Sequence, residues 1–294
     1  MKWSAHQKPT GKLLLRILAV GMAVLGVTTL VLYDLSSDDL DVIFYDYVSD
    51  KVPVDFEDYQ MVQLTDLHNH PMEYGNRNLL EAIDIVSPDA VFLTGDFIDQ
   101  HTKNLDVQTE LLAGLTDYPV YFVNGNHELT SQKRIDFDTL RDAYGVIDLN
   151  SQMETITRGT ESIHFLGVND GDLQKFGIWN YRNTGIIKEK IEGLTSGLPA
   201  GDLKILLAHR PDLYQDYIDT HMDLVYSGHY HGGQIRLIGK AISDLYEPWY
   251  AKGMTEIDGT TFVTSAGLGY SVAPIRVNCN AQLVVVTLHN PSLL

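Results

Sequence analysis

The chain has 294 residues, 44% hydrophobic and 20% charged, which suits one large α/β domain with or without an appendage and excludes a disordered chain. Its single cysteine, Cys279, excludes an internal disulfide framework and a cysteine-rich zinc site, so any metal centre must draw on the 11 histidines and 39 acidic residues. Four of the 21 basic residues and no acid lie in 1–33, leaving 17 basic against 39 acidic residues, a net −22, for the remainder; that excludes a general nucleic-acid binder but not a small anionic substrate, because bound metal ions reverse the local sign.

Residues 13–33 are apolar or small except for Arg16, and 17–33 carry no charge. Arg16 can snorkel, and the length is at the short end for a transmembrane helix. A cleaved signal peptide and a buried helix are the competing readings. The run ends Leu30-Val31-Leu32-Tyr33-Asp34-Leu35, without the small-residue cleavage site of a signal peptide, so the expectation is an uncleaved anchor. Lys2, Lys8, Lys12 and Arg16 lie before or at the start of the run, and Asp34, Asp38, Asp39 and Asp41 follow it. The positive-inside rule then leaves the amino terminus in the cytoplasm and the acidic domain outside, a single-pass protein of the cell membrane.

Residues 36–56 read as a linker and a first strand around Val42, Phe44, Tyr45 and Val48, broken at Pro53. A strand over 59–65 ends in Asp66-Leu67-His68. Leu79, Leu80, Ile83 and Val86 have helical spacing, and Ser87-Pro88-Asp89 stops that helix. The apolar run 90–94 ends in Gly95-Asp96, and a helix over 105–115 closes at Asp117-Tyr118-Pro119. The run Tyr121-Phe122-Val123 ends in Asn124-Gly125-Asn126-His127-Glu128. Alternation of strand and helix predicts an α/β layer with parallel pairing. Helices over 134–144 and 184–194 and a hairpin over 154–157 and 163–168 follow. The strand 204–208 ends in His209-Arg210-Pro211, a short helix follows near 213–218, and the strand 224–226 ends in Ser227-Gly228-His229-Tyr230-His231-Gly232-Gly233. An irregular loop with Tyr246, Trp249 and Tyr250 spans 240–253. The hairpin over 255–257 and 261–264 and a closing strand over 282–288 complete the chain.

Five apolar runs thus end in polar groups: Asp66 and His68, Asp96, Asn126 and His127, His209, and His229 with His231. Ligands of open α/β sheets bind beyond the carboxyl ends of the strands. If the five strands share one sheet, all these groups enter one crevice. The donors outnumber the needs of one tetrahedral zinc and suit two ions sharing a carboxylate. Mixed oxygen and imidazole donors without thiolate favour manganese, iron(II) or zinc. Such a pair clamps a phosphate and holds a hydroxide between the ions for in-line attack. His127, next to Asn126, is then placed to protonate the leaving group as a general acid.

The blocks Asp66-Leu67-His68, Gly95-Asp96-Phe97-Ile98-Asp99, Gly125-Asn126-His127-Glu128, His209 and Gly228-His229-Tyr230-His231 together resemble the calcineurin-like metallophosphoesterase superfamily over roughly residues 58–270. Ala208-His209-Arg210-Pro211-Asp212 and the run to Gln234 resemble its membrane-associated or exported bacterial branch, related to the YkuE phosphoesterases. The resemblance implies a four-layer sandwich, two mixed β-sheets flanked by α-helices. It also implies that Asp66, His68, Asp96 and His231 hold one divalent ion, and that Asp96, Asn126, His209 and His229 hold the other. His127 would be the catalytic acid. The chain then divides into a basic tail and transmembrane anchor (1–35), a linker with the first strand (36–56) and the metallophosphoesterase domain (57–294). The expected substrate is a phosphoester, attractive as a lipid or cell-envelope phosphate because of the anchor. The alternative is a non-hydrolytic metal-binding scaffold or interaction protein. Asp99 is expected to order its loop, Glu128 to start a helix or support a ligand, and His70 to be a loop histidine. Arg210 is expected either to grip phosphate or to pair with an acid.

Overall fold

The structure is a computed structural model that describes residues 11–34, 39–72, 76–172, 185–237, 240–241, 251–271 and 275–293. The expected loop 240–253, with Tyr246, Trp249 and Tyr250, lies largely outside the described residues. Helix α1 (Gly11–Asp34) precedes strand β1 (Leu40–Val48). Then come β2 (Gln60–Leu64), α2 (Arg77–Val86), β3 (Ala90–Leu93), α3 (Asp106–Gly114), β4 (Val120–Phe122), α4 (Arg134–Ala143) and β5 (Ile147–Asp148). The second half holds β6 (Met153–Arg158), β7 (Glu161–Gly167), α5 (Ile186–Thr195), β8 (Leu203–Leu207), α6 (Tyr214–Asp219) and β9 (Leu224–Ser227). A small ribbon, β10 (Arg236–Leu237) with β11 (Lys240–Ala241), precedes β12 (Gly253–Ile257), β13 (Thr260–Thr264) and β14 (Ala281–His289).

Two six-stranded mixed sheets form, in the orders β1-β14-β2-β3-β4-β5 and β12-β13-β9-β8-β7-β6. The neighbours β2, β3, β4 and β5 are parallel, as are β7, β8, β9 and β13. Alternation along the strands decides the layers. Met61, Phe92, Tyr121, Phe165, Ile205 and Tyr226 fill the space between the sheets. The opposite face of the first sheet packs Val62, Leu64, Val91 and Phe122 against Leu79 and Ile83 of α2, Leu111 of α3 and Phe137 of α4. Leu206 and Val225 of the second sheet meet Ile187 and Ile191 of α5 and Tyr217 of α6. The result is helix, sheet, sheet, helix. α2 stops where expected: Ser87 adopts a left-handed backbone, its N–H bonds Ile83 O, and Pro88 cannot continue the helix.

The two mixed sheets with flanking helices match the expected sandwich, while one condition is not met and one expectation needs correction. The five motif-bearing strands do not share one sheet: β2, β3 and β4 belong to the first, β8 and β9 to the second. The two sheets face each other, so their carboxyl edges still meet. The transmembrane span is also not found: among the described residues no helix is long and apolar enough to cross a membrane. Leu15, Ile17, Leu18, Val20, Met22, Val24 and Leu25 on α1 are exposed.

Candidate metal centre

Each motif turns sharply at the end of its strand. Asp66, His68, Asp96, His229 and His231 all have positive φ, between 48° and 71°. Non-glycine residues rarely adopt this left-handed backbone, and they hold it only where surrounding structure enforces it. Two glycines let the turns close: a Cβ on Gly125 would overlap Asp96 Oδ1, and one on Gly228 would overlap Asp66 Oδ2. Behind the turns, buried Gln63 of β2 donates through Nε2 to Thr94 Oγ1 and to Ser227 O, which ties the first sheet to β9.

The side chains converge in two groups. In one, His68 Nε2 lies 3.2 Å from His231 Nε2, with Asp66 Oδ1 3.4 Å from His231 Nε2 and 4.0 Å from His68 Nε2. In the other, His209 Nε2 lies 3.0 Å from Asp96 Oδ2 and 3.2 Å from His229 Nδ1. Asp96 Oδ2 is also 3.8 Å from His68 Nε2, so this carboxylate stands between the groups. Two ligands about 2.1 Å from one ion stand roughly 3 to 3.5 Å apart. The short separations within each group therefore fit a shared ion, and the oxygen and imidazole donors fit a divalent one.

Electrostatics agree with that fit. Burial lowers His68 to about 4 and holds His229 and His231 well below the usual imidazole range, so all three keep a lone pair to offer at neutral pH. Burial pushes Asp66 up. Burial opposes charge on His209 and Asp96 too, but their mutual attraction outweighs it, raising His209 and lowering Asp96. His209 must release its proton before it can ligate.

The remaining expected residues take distinct places. Asn126 is half-buried, and its Oδ1 accepts from Arg210 Nη2 at 3.1 Å; Arg210 Nη1 reaches His229 Nε2 at 2.9 Å. His127 is half-buried, donates its backbone N–H to Asp96 Oδ1 at 2.8 Å and packs edge-on to His68 with centroids 4.7 Å apart. Asp99 orders its loop by accepting from the His101 N–H and Thr102 Oγ1. His70 packs on Tyr270, outside the two groups. His164 bonds Thr155 and Asp202, and His289 pairs with Glu57 at the far end of β14.

Glu128 does more than its sequence position suggests. Its buried carboxylate accepts from the backbone N–H groups of Asp96, Phe97, Ile98 and Gly125, at 2.6 to 3.2 Å. It thereby clamps the turn after β3 to the turn after β4. Burial, reinforced by the Asp96 charge, raises its pKa toward neutrality, to about 7. Glu128→Ala would leave four buried donors without an acceptor. We expect a loss of roughly 3–5 kcal/mol, read as a lower urea midpoint, because each orphaned group costs about 1–3 kcal/mol and relaxation recovers part of the sum. An unchanged midpoint would contradict the clamp.

This geometry coincides with a family match: the model of the calcineurin-like phosphoesterase family covers residues 59–233. The chain belongs to that family. It is 30% identical over 237 residues to a metallophosphoesterase of Aquifex aeolicus, covering 78% of this chain and 84% of the relative. It is 27% identical over 240 residues to the metallophosphoesterase YkuE of Bacillus subtilis, covering 78% and 79%. It is 25% identical over 211 residues to the phosphodiesterase YaeI of Escherichia coli, covering 68% and 70%. As a calcineurin-like phosphoesterase, the protein is a metal-dependent hydrolase acting on phosphoester bonds.

Proposed function

We propose that the crevice at the joined sheet edges is a dinuclear phosphoesterase centre. Asp66, His68, Asp96 and His231 would hold one ion, and Asp96, Asn126, His209 and His229 the other. The observation that carries this reading is Asp96, whose Oδ2 lies 3.0 Å from an imidazole of one group and 3.8 Å from an imidazole of the other. Manganese, iron or zinc, when bound, would supply Lewis-acid stabilisation of the phosphoryl oxygens and acidify a water molecule. His127 is placed to act from the protein side. Its backbone is fixed by Asp96, and its ring edge meets His68 without being needed to complete either donor group. It would deliver a proton to the departing ester oxygen.

The experiment is removal and return of metal. Chelated protein should lose activity on aryl phosphates and recover it with manganese, iron or zinc added singly. Apparent metal affinity should rise with pH, since the elevated His209 holds its proton until high pH and must surrender it to bind. Activity that survives complete stripping would sink the reading.

The exposed apolar side chains of α1, with Lys12 and Arg16 on the same helix, support attachment of that helix to a membrane surface. β1 is parallel to β14, which is antiparallel to β2, so the chain enters the domain at the edge that carries the metal-site turns. A crevice near the attachment point favours a lipid or cell-envelope phosphoester. Recovery of the full chain in the soluble fraction of disrupted cells would remove this part of the proposal.

A further inference from the structure

Arg210 follows His209 directly, and its guanidinium is held from behind. Nε donates to Asp170 Oδ1 at 2.6 Å, and the two side chains are only 9% and 5% exposed. The Tyr217 hydroxyl donates to the Arg210 carbonyl at 2.8 Å and pins the backbone. The other edge of the guanidinium faces the metal centre, with Nη1 2.9 Å from His229 Nε2 and Nη2 3.1 Å from Asn126 Oδ1. Pairing with Asp170 alone would not require both terminal nitrogens to reach these two residues.

Charge and tautomer point the same way. Asp170 already balances the guanidinium charge, and divalent ions gathered beside the pair would add positive charge that a bound anion offsets. His229 turns Nδ1 toward His209 Nε2, 3.2 Å away. Ligation through Nδ1 leaves the ring hydrogen on Nε2, which can then no longer accept from Arg210. A phosphate oxygen in the crevice would offer Nη1 a stronger, charged acceptor, in the planar geometry that suits guanidinium.

Resting on the reading of the crevice as a phosphoester site, we propose that Arg210, braced by Asp170, binds a terminal oxygen of the substrate phosphate and biases the enzyme toward phosphomonoesters over phosphodiesters. A monoester offers three terminal oxygens and a diester two. Two ions can engage two oxygens. The third, charged in the monoester, needs a donor from the protein, and in a diester that oxygen carries carbon and loses the charge-assisted bond.

The test compares the metal-loaded full chain with Arg210→Met, Arg210→Lys and Asp170→Asn. It measures kcat/KM on p-nitrophenyl phosphate and bis(p-nitrophenyl) phosphate, metal content, and the thermal shift produced by inorganic phosphate. In Arg210→Met the monoester-to-diester ratio should fall about tenfold to a hundredfold, the range of a charge-assisted hydrogen bond. Its monoester KM should rise, its phosphate-induced shift should disappear, and its metal content should match that of the wild type. Arg210→Lys should recover part of the ratio, and Asp170→Asn should shift it the same way by less. These two variants decide the matter if Arg210→Met does not fold. An unchanged ratio, or parallel loss on both esters together with loss of metal, would overturn the proposal and leave Arg210 as a brace for Asn126 and His229. Wild-type protein that takes up metal yet hydrolyses neither ester would instead defeat the phosphoesterase centre itself.

Discussion

Asp96→Asn should lower activity by at least about a thousandfold, equivalent to roughly 4 kcal/mol of transition-state stabilisation, and should reduce the bound metal to no more than one ion per chain. The substitution preserves size and keeps an oxygen to accept the His127 N–H. What it removes is the charge. Asp96 is 2% exposed and stands between His209 and His68. A neutral amide there cannot offer an anionic oxygen to two cations, and it leaves His209 without the carboxylate that raises it. Both effects weaken the same centre, so metal and activity should fall together. Metal content from plasma mass spectrometry, set beside kcat on an aryl phosphate, makes the comparison. Full metal with full activity would remove Asp96 from its proposed place.

His127→Ala should separate those two quantities. Activity should fall about a hundredfold to ten-thousandfold on an alkyl phosphate, the usual range for a lost general acid, with both ions retained. The loss should be much smaller on p-nitrophenyl phosphate, whose leaving group departs without help. The structural basis is that the donor groups Asp66-His68-His231 and Asp96-His209-His229 close without His127, although a ring nitrogen of His127 also lies close enough to His68 and Asp96 to form a third possible donor group. An equal loss on both esters would contradict the proton-donor role, and loss of metal would make His127 a ligand.

The gathering of polar groups at the strand ends was legible because each proposed ligand sits at a break in a buried run, as Asp96 does after Ala90–Leu93 and His209 after Leu203–Leu207. Local patterns also gave most elements, since alternation and helical spacing need only neighbours in the chain. The partition into two sheets was not local. β14 joins β1 to β2 across most of the sequence, and no pattern within β8 or β9 says which sheet they enter. β5 has two residues, too few to show a period. Glu128 was visible as a carboxylate after the Asn-His pair, but its four acceptor contacts depend on the turn after β3 approaching the turn after β4. Arg210 was left between phosphate and an acid for the same reason. Asp170 lies forty residues before it in the sequence and meets it only when β7 and β8 pair.

The strained backbone explains why these residue types sit where local propensity disfavours them. Five of the proposed ligands hold left-handed φ angles that glycine or asparagine would adopt more readily. The Glu128 clamp and the Gln63 tie supply compensating bonds just behind them.

The most direct measurement is electron paramagnetic resonance of stripped protein titrated with manganese(II). Two ions per chain with an exchange-coupled signal, reduced to at most one uncoupled ion in Asp96→Asn, is the predicted result. A single ion in the wild type, or two ions without coupling, would contradict a centre built on a shared Asp96.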